Sequence, residues 1–179
     1  VHVGWNWGLK TALEQYGADV TYLNYGWSST RSYNENVGGR PGGLWPTHMA
    51  TLLASGAHIA VIGYGLNELG SLETEANIRS IASQYKDAGI EVIIVGLMPI
   101  NLYNRNSFVL ENWLLTHDAL ARAAEETDSA FVSTHQFFGP GNEVNSGLSR
   151  RNMANSNLAN HDGFAAYKVV RDYMELLAA

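Results

Sequence analysis

The sequence contains no cysteine. That excludes a disulfide framework and any cysteine-ligated metal site, and it leaves the compartment open. Basic residues are scarce, with 11 Lys and Arg against 17 Asp and Glu and a formal net charge of -6. A basic face for phosphate contacts is therefore not expected, and nucleic acid is a poor partner. No apolar run approaches the roughly 18 residues that span a bilayer, so no membrane partner is expected. No signal-peptide pattern opens the chain either, and Val1-His2-Val3-Gly4-Trp5 reads as interior sequence from a processed or excised product.

Charged residues make up only 16% and hydrophobic residues 46% of the 179 positions, enough apolar material for the core of one domain spanning 1–179. The six histidines show no paired spacing on one face, so no metal site is expected. His58 sits in an apolar run and reads as a core residue. No Gly-x-x-x-x-Gly-Lys pattern cradles phosphate, and no cofactor is implied.

Aromatic residues and glycine are plentiful, with five Trp, nine Tyr and eighteen Gly. Many stand beside Asn and Ser in loop-like stretches. Such loops suit sugar binding, because rings stack on sugar faces and amides bond hydroxyls, and they suit ordinary long loops equally. Their composition points to an extracellular or virion-associated setting.

Helical and strand patterns alternate. Leu9, Ala12, Leu13 and Tyr16 recur at helical spacing before Gly17. Val20 to Leu23 reads as a short strand that runs into Asn24-Tyr25-Gly26-Trp27-Ser28-Ser29. The Gly38 to Gly43 stretch reads as a loop, and a short helix comes next over about 46–54. His58 to Ile62 and Val92 to Val95 are nearly continuous apolar runs, the mark of strands buried on both faces. A helix over about 71–88 presents Ile78, Ile81, Ala82 and Tyr85 on one face, and Gly89 ends it. Another, over about 108–126, places Leu110, Trp113, Leu114 and Ala121 inward. Ala130 to Val132 is the last strand, and a terminal helix spans about 163–177. This alternation predicts an α/β fold: a three-layer α/β/α sandwich around a mostly parallel, flavodoxin-like five-stranded sheet. Ligands of such sheets bind at the carboxyl ends of the strands, where the unusual loops fall.

Three of those loops carry chemistry. In Gly65-Leu66-Asn67-Glu68 an amide just past a buried strand can donate into a cleft, as an oxyanion hole requires, or can simply cap a turn. The loop at Trp27-Ser28-Ser29 offers backbone N–H groups, but no sharp strand-turn-helix elbow surrounds its serines. His161, before Asp162 and Gly163, offers an imidazole as general base, or is a surface residue near a helix start.

Taken in order, these blocks resemble the SGNH hydrolases, the family of GDSL esterases, lipases and carbohydrate acetylesterases. The second block of the family, Asn-x-Gly-x-Ser-Gly, is similar to Asn24-Tyr25-Gly26-Trp27-Ser28-Ser29. The third, Gly-x-Asn-Asp, is similar to Gly65-Leu66-Asn67-Glu68. The last, Asp-x-x-His, is similar to Leu158-Ala159-Asn160-His161. The resemblance implies that His161 is the base, that Asn67 and the backbone at Ser29 donate to the oxyanion, and that Gly65, Trp27 and Tyr64 line the substrate site. It implies a small-molecule or polysaccharide ester as substrate, with O-acetylated carbohydrate favoured by the Tyr, Trp and Asn of the cleft-side loops.

The departures are as informative. Ser29 replaces a glycine, which a backbone N–H tolerates. Leu158 stands where the acid of the triad is expected, which leaves a Ser–His dyad or an acid placed elsewhere. Gly-Asp-Ser is absent from residues 1–179. Trp5, Trp7, Leu9 and Leu13 are similar to the family's stretch just after that block, which puts the serine upstream of Val1. The rival alignment sets Gly4-Trp5-Asn6 in its place and describes a dead enzyme, a carbohydrate-binding module without a nucleophile. The family's first strand is internal, and each unmet buried backbone group would cost about 1–3 kcal/mol. An upstream segment, a separate chain or Val1 to Val3 itself is therefore expected to complete the sheet.

Overall fold

The computed structural model describes residues 10–11, 13–23, 25, 31–32, 36–37, 40–41, 44–97 and 110–133. Contacts group the chain into two compact units, one of residues 1–25, 98–107 and 134–179, the other of residues 26–97 and 108–133.

In the first unit, residues 10–11 and 13–15 are helical, and Gly17 comes after them with φ +86° as the expected stop. Lys10 pairs with Glu14 one turn on. Residues 20–23, expected as a strand, do not form one. Tyr22 and Leu23 are 37% and 46% exposed, so this run lacks the burial that turns β propensity into a strand.

The second unit contains β1 (Asn36–Val37) and β2 (Arg40–Pro41), a two-rung antiparallel pair whose second strand lies in the Gly38 to Gly43 stretch expected as a loop. Helix α1 (Leu44–Leu53) precedes β3 (Ile59–Ile62). A single 3-10 turn (Leu66–Glu68) leads to α2 (Thr74–Asp87), β4 (Glu91–Val95), α3 (Leu110–Glu126) and β5 (Ala130–Val132). The three longer strands are parallel, in the order β3-β4-β5. The fold is thus α/β with a parallel sheet, as the alternating pattern predicts.

Register sorts the side chains by face. Ile59 lies opposite Glu91, Ile62 opposite Ile94, and Ile94 opposite Phe131. One face therefore carries Ala60, Ile62, Val92, Ile94 and Phe131. His117 of α3 meets Phe131 edge-on, which identifies this as the helix-covered face. Val92 and Ile94 are fully buried there.

Helices α2 and α3 pack on each other and on β4. The α2 stripe is the expected one, since Ile78, Ile81, Ala82 and Tyr85 are all buried. Arg79–Glu126 and Glu75–Arg122 repeat the same 47-residue offset, so the two helices run side by side in parallel. These pairs are exposed and add little to stability.

The α3 stripe differs from expectation. Trp113, Thr116, His117, Leu120, Ala123 and Ala124 are buried, and Leu114 is 44% exposed. Trp113, His117, Leu120 and Ala124 are spaced four, three and four apart, the helical seam. Apolar character alone selected Leu114, one residue out of phase with that seam. His58 also departs from the core reading. It is exposed at the entrance to β3, where its carbonyl accepts from the Glu91 N–H at 2.9 Å.

Candidate functional site

The loop leaving the carboxyl end of β3 runs through Gly63, Tyr64 and Gly65 into the 3-10 turn. Gly65 adopts φ +116°, a conformation L side chains rarely take. A Cβ there would lie 2.9 Å from Leu97 Cδ2 and 3.2 Å from Thr116 Cγ2. Glycine thus meets two demands, a left-handed backbone and a close approach to α3. Gly65→Ala should destabilise the fold by about 1–3 kcal/mol, from strain and crowding together. A urea midpoint equal to that of the wild type would show that the turn relaxes freely.

The turn closes through the Glu68 N–H, which donates to the Gly65 carbonyl at 3.1 Å, and the Ser71 N–H, which donates to the Glu68 carbonyl at 3.0 Å. Further on, the Gly70 N–H donates to Thr116 Oγ1 at 2.8 Å, and the Thr116 hydroxyl donates to the Asn112 carbonyl at 2.8 Å. A buried threonine of α3 therefore holds the loop at its far end. Asn67 sits between these anchors, exposed, on a short turn.

Its neighbour Glu68 is buried instead. The carboxylate accepts from the Ser32 N–H at 3.1 and 3.3 Å and from the Ser32 hydroxyl at 2.6 Å. Ser32 is itself fully buried. Burial pushes the Glu68 carboxyl above the usual carboxylate range. The Ser32 hydroxyl and N–H, the Arg31 charge and the Gly65 backbone pull it down without cancelling the effect. A group whose folded pKa is raised contributes stability below its unfolded value and loses that contribution as pH rises through the folded one. Wild-type stability should therefore fall relative to Glu68→Gln as pH rises through and beyond the usual carboxylate range, then level off. Urea unfolding at a series of pH values measures this gap, and a gap independent of pH would contradict it.

Tyr64 is half-buried, and its phenol is pushed up to about 12, chiefly by burial and then by the nearby Tyr85 and Glu68. It remains a neutral hydroxyl that can donate a hydrogen bond.

Three of the residues expected at the site, Tyr64, Gly65 and Asn67, thus lie together on one loop at the carboxyl end of β3. Ser29, Trp27 and His161 lie outside the described residues. The Glu68–Ser32 bridge escaped the sequence reading, because its partners stand 36 positions apart and neither residue type signals the other. Among the described residues no group of three His, Asp or Glu could hold a metal ion, and no helix is long and apolar enough to cross a membrane.

No protein-family model matches the chain, and no curated protein matches it in sequence. Solved structures do match. A GDSL-like lipase from Bacteroides thetaiotaomicron superposes with a TM-score of 0.69 at 15% identity, over 98% of this chain and 82% of that one. A putative GDSL-like lipase from Parabacteroides merdae gives a TM-score of 0.69 at 15% identity, over 98% of this chain and 81% of the other. The acetylxylan esterase Axe2 from Geobacillus stearothermophilus gives 0.70 at 18% identity, over 98% of this chain and 80% of its own. The chain therefore has the SGNH, or GDSL, hydrolase fold.

Proposed function

We propose that this protein is a serine esterase whose substrate is an O-acetylated carbohydrate. The observation that carries the proposal is the placement of Asn67 on an anchored turn at the carboxyl end of a parallel strand, in a chain with the SGNH hydrolase fold. A donor for an oxyanion must be in place before charge develops, and an anchored turn provides that. In the proposed reaction a serine hydroxyl, upstream of Val1 in the favoured alignment, attacks the ester carbonyl. His161 takes its proton and later returns it to the leaving alcohol. The Asn67 amide and the backbone N–H at Ser29 stabilise the tetrahedral oxyanion, and water then releases the acid. Gly65, Trp27 and Tyr64 line the substrate site, with the Tyr64 phenol protonated and able to donate to a sugar hydroxyl. The similarity to an acetylxylan esterase supports an acetylated carbohydrate as substrate.

Leu158, where the acid of the triad would stand, favours a second reading: a carbohydrate-binding module of the same fold without catalysis. Labelling the complete polypeptide with a fluorophosphonate separates the two. An adduct on one serine, with acetate released from acetylated xylooligosaccharides, supports the esterase. No adduct and no acetate, with retained binding of the sugar, supports the module.

A further inference from the structure

In the proposed reaction the two oxyanion donors belong to different loops. Asn67 comes after β3, and Ser29 stands three residues before Ser32 in the chain. A pair of donors works only if both are held at the same point, and a displacement of about 1 Å can cost on the order of a hundredfold in rate. We infer that Glu68 is the positioning residue of this site: its carboxylate ties the segment carrying Ser29 to the turn carrying Asn67.

Four observations support the inference. Glu68 is adjacent to Asn67 on the same 3-10 turn, so any group bonded to its side chain is referenced to that turn. Both Ser32 donors, the backbone N–H and the hydroxyl, converge on this one carboxylate. The bond to the Ser32 N–H holds main chain and not only a side chain. The bridge lies out of solvent, with Ser32 0% and Glu68 4% exposed, so water does not compete for these bonds. The loop is in turn anchored to α3 through Thr116, so the tether ends on that helix. A buried carboxylate is costly. Two oxygens that accept from one residue's main chain and side chain together give it a use that a small apolar residue could not supply. Glu68 does not touch the substrate in this scheme.

The inference rests on the esterase reading, and its test separates the two. Glu68→Ala and Glu68→Gln are prepared in the complete polypeptide. Each is measured for acetyl-ester hydrolysis and for hydrogen–deuterium exchange of a peptide covering residues 26–32. Glu68→Gln keeps an acceptor for the Ser32 N–H and an N–H for its hydroxyl, so it should stay within about threefold of wild-type kcat. Glu68→Ala should lose on the order of ten- to a hundredfold in kcat at nearly constant KM, with at least tenfold faster exchange over 26–32. Should Glu68→Ala prove too unstable, Ser32→Ala, which removes only the hydroxyl bond, should give a smaller change of the same kind in both readouts. An active wild type with an equally active Glu68→Ala overturns the inference alone. Unchanged exchange over 26–32 also overturns it, as does an equal loss of kcat in the Gln and Ala variants, since that pattern tracks charge and not tethering. An inactive wild type, unlabelled by fluorophosphonate, overturns the esterase reading and this inference with it.

Discussion

His161→Ala should lower kcat for acetyl-ester hydrolysis by on the order of 10²–10⁴-fold, the usual contribution of a positioned general base. Asn67→Ala should lower it by about 10²–10³-fold, or roughly 2.7–4 kcal/mol of transition-state stabilisation. The two variants should differ in kind as well as in size. An oxyanion donor acts on charge that exists only in the transition state, so Asn67→Ala should leave KM close to that of the wild type. The turn itself is closed by the backbone of Gly65, Glu68 and Ser71, and urea unfolding of the variant separates a loss of rate from a loss of fold. Loss of the base should abolish fluorophosphonate labelling, because the hydroxyl is then no longer activated. Loss of the donor should slow labelling without abolishing it. Steady-state kinetics with acetylated xylooligosaccharide and a labelling time course measure both. Activity within about tenfold of the wild type in His161→Ala would remove this histidine from the mechanism, and a change in KM alone in Asn67→Ala would make that residue a substrate contact.

How much of this is legible in the sequence depends on the physical origin of each feature. The α2 stripe is legible because Ile78, Ile81, Ala82 and Tyr85 are unambiguous apolar residues at helical spacing, and burial confirms all four. The β4 run is legible because Val92 to Val95 is continuously apolar, and Val92, Ile94 and Val95 are buried. The α3 stripe is only half legible. Its seam includes Thr116 and His117, polar residues buried because each has a bonding partner, at Gly70 and at Ser133. Hydrophobicity read residue by residue passes over them and picks Leu114 instead. Within the site loop, Gly65 is legible as a turn glycine, and its φ of +116° is one that L side chains rarely take, whereas the role of Asn67 rests on the resemblance. Glu68 and Ser32 are not, because a bridge across 36 residues depends on how two loops meet, and nothing in either local sequence encodes that. Ser29, Trp27 and His161 remain readings from the resemblance alone.

Trp113→Ala should cost about 3–5 kcal/mol of folding stability, the range for removing a fully buried large aromatic side chain. Trp113 is 1% exposed, and its ring stacks on His117 at 4.8 Å between centroids with an 8° interplanar angle. His117 in turn meets Phe131 of β5 edge-on at 5.4 Å and shares a 3.2 Å hydrogen bond with the Ser133 hydroxyl. Three aromatic rings thus join α3 to the last strand, and the tryptophan closes one end of the row. Removing it empties a large volume and leaves the imidazole without its stacking partner, so relaxation would have to move a side chain that is bonded at its other end. Domains of this size are typically stable by only about 5–15 kcal/mol, so the loss is a large share of the total. Trp113→Phe retains a ring and should lose less. Urea unfolding decides the matter: the midpoint should fall steeply with the slope unchanged, because the surface exposed on unfolding is nearly the same. The consequence reaches the site through α3 itself. Thr116, which holds the Asn67 loop at Gly70, and Leu120, which packs 3.4 Å from the place a Gly65 Cβ would take, lie on the same helix as Trp113. A helix loosened at Trp113 should therefore loosen the turn, and amide exchange at residues 65–70 should rise together with the loss of stability. A loss below about 1 kcal/mol in Trp113→Ala would mean that the row of rings is incidental to how α3 is held.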